Sequence, residues 1–342
     1  MGLQGVIGHA DLQLVGLYVE RTERAGRDAG ELCDRPRTGI RATNSVQEIL
    51  ALQPDCLAYF GSGAIDVPAA IEKLVPILES GCDVVTTSLG NLIHSHYAPK
   101  EQLERLQSAC RKGGSSFFAT GIEPGYASDL LPASLLGIVD ELQQLRIQEI
   151  ADYSRYGVAS VMRGFFGFGQ PPEYAVPLFS GTRLRDTWGG VVHYMAEEVG
   201  VHLQEVREVK EVAITARDID TAFGVVKAGT IGGVRFEVQG IVNDFPVLIV
   251  EHINFLAADV APHWRRGQTG KDTVYRIAIT GRPTLTCELA LDCIAGEEHG
   301  LIGTAMRAIN AIPIVHAAAP GIVGPRDIPA RASRHVATPQ RP

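Results

Sequence analysis

Side chains able to do chemistry gather at a few points of the sequence. Glu20 is followed by Arg21, Arg24 and Arg27, and Gly61-Ser62-Gly63 and Thr87-Ser88-Leu89-Gly90-Asn91 each end an apolar run. His94-Ser95-His96 comes next, and Thr120-Gly121-Ile122-Glu123-Pro124-Gly125 ends a further apolar run. An acid about 20 residues past a glycine loop is the group that hydrogen-bonds an adenosine ribose in a dinucleotide fold. Glu20 stands at about that distance from Gly2, so Gly2 reads as the last glycine of such a loop and Glu20 as the ribose acid, or else as a solvated loop residue. Glu20 favours NAD, whereas guanidinium groups at Arg21, Arg24 and Arg27 favour the 2′-phosphate of NADP; both readings stay open.

An imidazole titrates near neutral pH, so His94 is a candidate general acid, set against a plain pair of loop histidines. His94 and His96 lack a third ligand at a recognisable spacing, and no metal is expected. Glu123, between Gly121 and Pro124, is the second candidate acid, with a turn residue as the alternative. Arg163–Gly169 (RGFFGFG) reads as a mobile apolar lid or a packed loop, and Tyr153 and Tyr156 as core or rim.

These groups need a large scaffold, and the chain can supply one. It has 342 residues, 45% of them hydrophobic, which is room for two domains. The 31 Lys and Arg are interspersed with 39 Asp and Glu, a net charge of −8 that argues against nucleic acid as a partner. No apolar run reaches the ~18 residues of a membrane span, and the first residues lack the cationic and apolar regions of a secretory signal. Cys33, Cys56, Cys82, Cys110, Cys287 and Cys293 show no pairing pattern, as expected of buried thiols in a reducing cytoplasm.

Apolar runs of strand length at Leu12–Val19, Asp55–Phe60, Asp83–Thr87 and Ser115–Ala119 alternate with helical stretches, which predicts a parallel sheet with right-handed crossovers. Asp66 caps a helix with Pro68 in its first turn and Pro76 inside it. Another opens near Pro99, pairs Glu101 with Arg105 at i,i+4, and stops at Gly113-Gly114. Beyond Gly125 the order changes. A helix is expected over Ala127–Val139 and another from Asp186 to Val199. Strands follow at Leu145–Ala151, Val209–Ala216, Gly233–Val242, Val247–Leu256, Thr273–Thr280 and Thr284–Leu291, with Gly281-Arg282-Pro283 as a tight link. The resulting division is a dinucleotide-binding domain over 1–125 completed by a helix at 297–326, an α+β substrate domain over 126–296, and a frayed tail over 327–342.

Four runs carry a resemblance: VVTTS at 84–88, ATGIEPGYASDLLP at 119–132, QEIADYS at 148–154 and RAINAIPIVHAAAPGIV at 307–323. With GRDAGELC at 26–33, the sequence resembles the 2,4-diaminopentanoate dehydrogenase and native amine dehydrogenase group, dihydrodipicolinate reductase-like in fold. The resemblance implies an NAD(P)-binding Rossmann domain and an α+β domain that closes over a small-molecule substrate and forms a homodimer. It implies hydride transfer at an imine, amine or related carbonyl carbon, with a non-catalytic NAD(P)-binding sensor of the same fold as the alternative. By position it assigns Gly61 and Ser62 to the length of the cofactor, Thr87 and Ser88 to the nicotinamide, and Asn310 to the domain junction. Leu89-Gly90-Asn91 stands where amine-active members have acidic residues, and the His-His-x-x-Lys run of dihydrodipicolinate reductases is not found. The first strand and two glycines of the phosphate loop are also missing, so Met1 reads as an internal methionine preceded by roughly a dozen residues of the working protein.

Overall fold

The computed structural model describes residues 1–61, 63, 66–268, 273–291 and 299–334. In chain order the strands are β1 (Leu17–Tyr18), β2 (Ala42–Thr43), β3 (Cys56–Tyr59), β4 (Asp83–Thr86), β5 (Ser116–Ala119), β6 (Glu141–Asp152), β7 (Glu205–Ile214), β8 (Ile231–Val242), β9 (Phe245–Phe255), β10 (Thr273–Arg282), β11 (Leu285–Leu291) and β12 (Gly321–Ile322). The α-helices are α1 (Gly2–Gly8), α2 (Val46–Ala51), α3 (Val67–Glu79), α4 (Lys100–Gly113), α5 (Leu130–Leu136), α6 (Gly190–Glu198) and α7 (His299–His316). Two compact units result, Met1–Ile122 with Leu301–Pro342, and Glu123–Gly300.

In the first unit β12, β5, β4 and β3 form a parallel sheet in that order, and β1 and β2 form a separate parallel pair. Successive strand residues point to opposite faces, so the double apolar pairs Val84-Val85 and Phe117-Phe118 serve two cores at once. Val84 and Phe117 pack with Leu74, Leu78, Leu106 and Cys110 of α3 and α4, while Val85 and Phe118 pack with Ala308, Ile309, Ile312 and Val315 of α7. That is why β4 and β5 read as unbroken apolar runs. The side chain of Asp66 accepts from Ala69 N at 3.0 Å to start α3, and Gly114, at φ +68°, ends α4 in the left-handed region. A Cβ on Gly113 would stand 1.9 Å from Leu78 O, so the close approach of α4 to α3 requires glycine there.

Three expectations need correction in this unit. The strand expected over Leu12–Val19 narrows to β1, because only Leu17 and Tyr18 find a ladder partner, in β2. Arg105 turns from Glu101 to Glu72 on α3, with two bonds of 2.8 Å, since the packed helices bring that carboxylate alongside. The tail expected to fray over 327–342 includes Ile328, which is fully buried in the α7 core, and Arg334, which reaches Asp11 at 3.1 Å.

The second unit is a six-stranded mixed sheet in the order β11-β10-β6-β9-β8-β7, in which β6 and β9 run parallel and every other pair antiparallel. Among the described residues β7 to β11 follow one another without an α-helix between them, which gives this arrangement. α6 covers one face with Val191, Val192, Tyr194 and Met195 buried. The helix expected from Asp186 begins as a wider π-type turn, Arg185–Gly189, before α6, and the helix expected over Ala127–Val139 is α5 alone. The fold is therefore α/β, a parallel Rossmann-type sheet and an α+β unit with a mixed sheet.

Leu106 is fully buried between α3 and the sheet, whereas Leu52 is half exposed. Leu106→Ala should lower unfolding free energy by about 2–5 kcal/mol and Leu52→Ala by far less; urea melts showing equal losses would contradict this packing.

Candidate active site

Register assembles the most unusual cluster of the second unit. On β6 the inward phase carries Leu145, Ile147 and Glu149, and on β9 it carries Leu248, Val250, His252 and Asn254. Glu149 is paired directly with His252 across the parallel β6–β9 ladder, Tyr275 is opposite Glu149, and Phe236 is opposite His252. One row across four strands thus holds a phenol, a carboxylate, an imidazole and a phenyl ring.

The imidazole lies between two acids. His252 Nε2 is 2.6 Å from Glu123 Oε2, and Nδ1 is 3.4 Å from Glu149 Oε1. The side chains of His252, Glu123 and Glu149 are only 4%, 1% and 7% exposed, so solvent screens them little. Trp188 Nε1, from the π-type turn, donates to Glu123 Oε2 at 2.9 Å. Tyr153 OH and Asn254 Nδ2 donate to Glu149 Oε1 at 2.6 and 3.0 Å. Phe236 stacks on the imidazole with centroids 4.6 Å apart, and Trp188 meets it edge-on at 4.7 Å. Glu123 Oε1 is buried and has no protein partner.

Burial pushes the His252 pKa down, but the charges of Glu123 and Glu149 outweigh it and raise the pKa to about 10. Burial likewise raises Glu149, yet His252, Tyr153 and Asn254 bring it below the ordinary carboxylate value. Burial first, and then the charge of Glu149, drives the Tyr153 phenol well above its usual range. The stable state is therefore an imidazolium between two carboxylates, with Tyr153 a neutral donor. Glu123, Glu149 and His252 offer ligand atoms within 4.8 Å of one another. The carboxylates face opposite ring nitrogens, however, and that suits a proton on each nitrogen better than one metal ion.

Of the two candidate acids, Glu123 stands in this cluster and His94 does not. Burial lowers His94 to about 3, which disfavours the doubly protonated imidazolium. Glu149, His252, Trp188 and Asn254 were missed, and Tyr153 was set aside as core or rim. The available signal was a charged residue in the inward phase of an apolar alternation, at LRIQEIA and LIVEHINF.

The remaining candidates lie in the first unit. Glu20, just past β1, is exposed and pairs with Lys73 at 3.1 Å, and Arg21 is exposed. Gly2 opens α1, and a Cβ there would stand 2.4 Å from the Phe60 ring. Gly61 follows β3; Ser62 falls outside the described residues. Thr87 and Ser88 follow β4 half-buried, with Ser88 N bonded to Thr86 Oγ1 at 3.0 Å. Thr120 Oγ1, past β5, and Asn310 Oδ1, on α7, are buried without a protein partner. Ligands of open parallel sheets sit beyond the carboxyl ends of the strands. Small residues and unpaired polar atoms at these strand ends fit a nucleotide cofactor with a flat amide-bearing ring.

The description "2,4-diaminopentanoate dehydrogenase C-terminal domain" belongs to the family model that matches residues 126–339. An amine dehydrogenase of Streptomyces virginiae is 34% identical over 97% of this chain and 93% of its own length. The chain belongs to the 2,4-diaminopentanoate dehydrogenase family. A 2,4-diaminopentanoate dehydrogenase of Acetoanaerobium sticklandii is 23% identical over 76% of this chain and 70% of its own. The solved amine dehydrogenase of Mycobacterium smegmatis shares the fold, with a TM-score of 0.77 at 19% identity, over 97% of this chain and 94% of that one. As a member of the family the protein is an NAD(P)-dependent oxidoreductase, and nothing in these likenesses supports the non-catalytic alternative. Among the described residues no helix is long and apolar enough to cross a membrane.

The folded-state pKa of His252 lies above the 6.5 of a free imidazole. Its charge therefore adds stability in full below pH 6.5, and that contribution disappears as pH rises through about 10. Glu149→Gln removes one of the two facing charges and should move this loss to lower pH. Urea melts between pH 6 and 10.5 that show the same pH dependence in both proteins would rule out the charged ring.

Proposed function

We propose that this oxidoreductase interconverts a small amine with its imine or related carbonyl compound, and that Glu123 moves the proton at nitrogen. One observation carries the reading: Glu123 has one oxygen held by Trp188 and His252 and the other buried with no partner. A buried acceptor costs free energy unless something bonds to it, and a substrate N–H supplies what is missing.

NAD(P), when bound, would supply the hydride chemistry at the carbon bearing nitrogen. The chain's residues do the rest. In the oxidative direction the amine nitrogen gives up a proton as the C–N bond becomes double, and Glu123 Oε1 receives it. In the reverse direction Glu123 gives that proton back to nitrogen. His252 stands beside the other oxygen with its positive charge. Trp188 fixes the orientation of the carboxyl group with its N–H. The rings of Trp188 and Phe236 leave little room for water around the pair. Gly61, Thr87, Ser88, Thr120 and Asn310 are the residues we assign to the cofactor, with Glu20 and Arg21 at its adenosine end, where their opposite charges leave NAD and NADP both in play. The working form we propose is a cytoplasmic homodimer, the state the family resemblance implies.

Glu123→Gln keeps the size and removes the base. Turnover should fall by about 10²–10⁴-fold across small amines and across ketones with ammonia, while NAD(P) binding, followed by calorimetry, stays as in wild type. A variant that turned over normally would remove Glu123 from the mechanism.

A further inference from the structure

Helix α7 carries a second polar feature that the proton chemistry does not use. Arg307 is 91% buried by its 9% relative exposure, and neither its Nε nor its Nη2 has a hydrogen-bond partner. No acidic side chain among the described residues pairs with it. A guanidinium out of water without a counter-charge is strongly unfavourable, far more so than an unpaired amide or hydroxyl.

The position of Arg307 in the fold is informative. A Cβ on Gly303 would stand 2.9 Å from Ile122 Cδ1, so the start of α7 lies against the chain just past β5. The other end of the helix lies at the opposite edge, where His316 Nδ1 is 2.8 Å from Asp83 Oδ2 at the start of β4. α7 therefore runs from the carboxyl ends of the strands toward their amino ends. Arg307 follows Gly303 by four residues and Asn310 follows Arg307 by three, which puts all three on one face. Helical side chains lean toward the N-terminus, so Arg307 leans toward the carboxyl ends of the strands. Thr120 Oγ1, two residues before Ile122, is also buried and unpaired, and its hydroxyl can donate to an anion.

We propose that Arg307, assisted by the Thr120 hydroxyl, binds an oxyanion at the carboxyl end of the parallel sheet. A guanidinium presents a planar fork of N–H donors that matches a carboxylate or a phosphate. Two sources share this chemistry, a carboxylate on the substrate and a phosphate of the cofactor. The second rests on the NAD(P) reading above, and the first does not.

Calorimetric titration of wild type, Arg307→Met and Arg307→Lys with NAD⁺, NADP⁺, propionate and propionamide tests the proposal. Either the dinucleotides or propionate should bind the Met variant about tenfold or more weakly than wild type, the Lys variant should fall between, and propionamide should not discriminate. Weakening confined to propionate assigns the site to the substrate, and weakening confined to the dinucleotides assigns it to the cofactor. Without ligand, Arg307→Met should melt no lower than wild type, because it removes an unpaired buried charge. Equal affinities in all three proteins would overturn the proposal. So would a large fall in the unliganded melting temperature of the Met variant, since the guanidinium would then be serving the fold. Loss of Glu123→Gln turnover is read separately, so the two claims fail independently.

Discussion

A positively charged imidazole enclosed by two carboxylates is the interaction on which the second unit's chemistry depends. Burying any one of these charges alone would cost several kcal/mol or more. Together, with Tyr153, Asn254 and Trp188 supplying hydrogen bonds, they leave a compact cluster with one net negative charge. The second oxygen of Glu123 is buried in this cluster without a partner. The arrangement resembles other paired acid–base systems in its logic: one group stays ionised because another holds the opposite charge beside it.

The cluster needs a rigid support, and the sheet provides it. Glu149 and His252 sit on neighbouring parallel strands in direct register, with antiparallel strands on either side fixing both. A slip of one residue in β9 would turn His252 to the other face, and the apolar partners Val250 and Leu248 oppose that slip. The aromatic rings over the imidazole keep the local dielectric low, which strengthens the attraction between ring and carboxylates. In the first unit the same alternation gives Val84-Val85 and Phe117-Phe118 their two cores, and so presents the strand ends on a fixed frame.

Much of this frame was legible in the sequence. The buried runs of β4 and β5, the Asp66 cap and the stop at Gly114 are local signals, set by neighbours within a few residues. Glu123 was legible for the same reason, as an acid between Gly121 and Pro124 just past a strand. The rest of the site depends on register between β6 and β9, elements about a hundred residues apart in the chain. Nothing local shows that Glu149 will face His252, or that Trp188 will reach Glu123. His94 shows a different dependence on the fold. Its residue type and its position after a strand suited an acid, but burial, a property of the folded chain, disfavours its charged form. Arg105 shows the same limit on a small scale, since the helix-spaced partner Glu101 gave way to Glu72 across the α3–α4 contact.

The charge on His252 can be read directly. In protein carrying ¹⁵N-labelled histidine, the ring nitrogens of His252, assigned by comparison with a His252→Gln protein, should both carry protons at pH 8 and should titrate only near pH 10. A neutral ring at pH 8, with one bare nitrogen, would contradict the account, because Glu123 and Glu149 would then lack the positive partner between them.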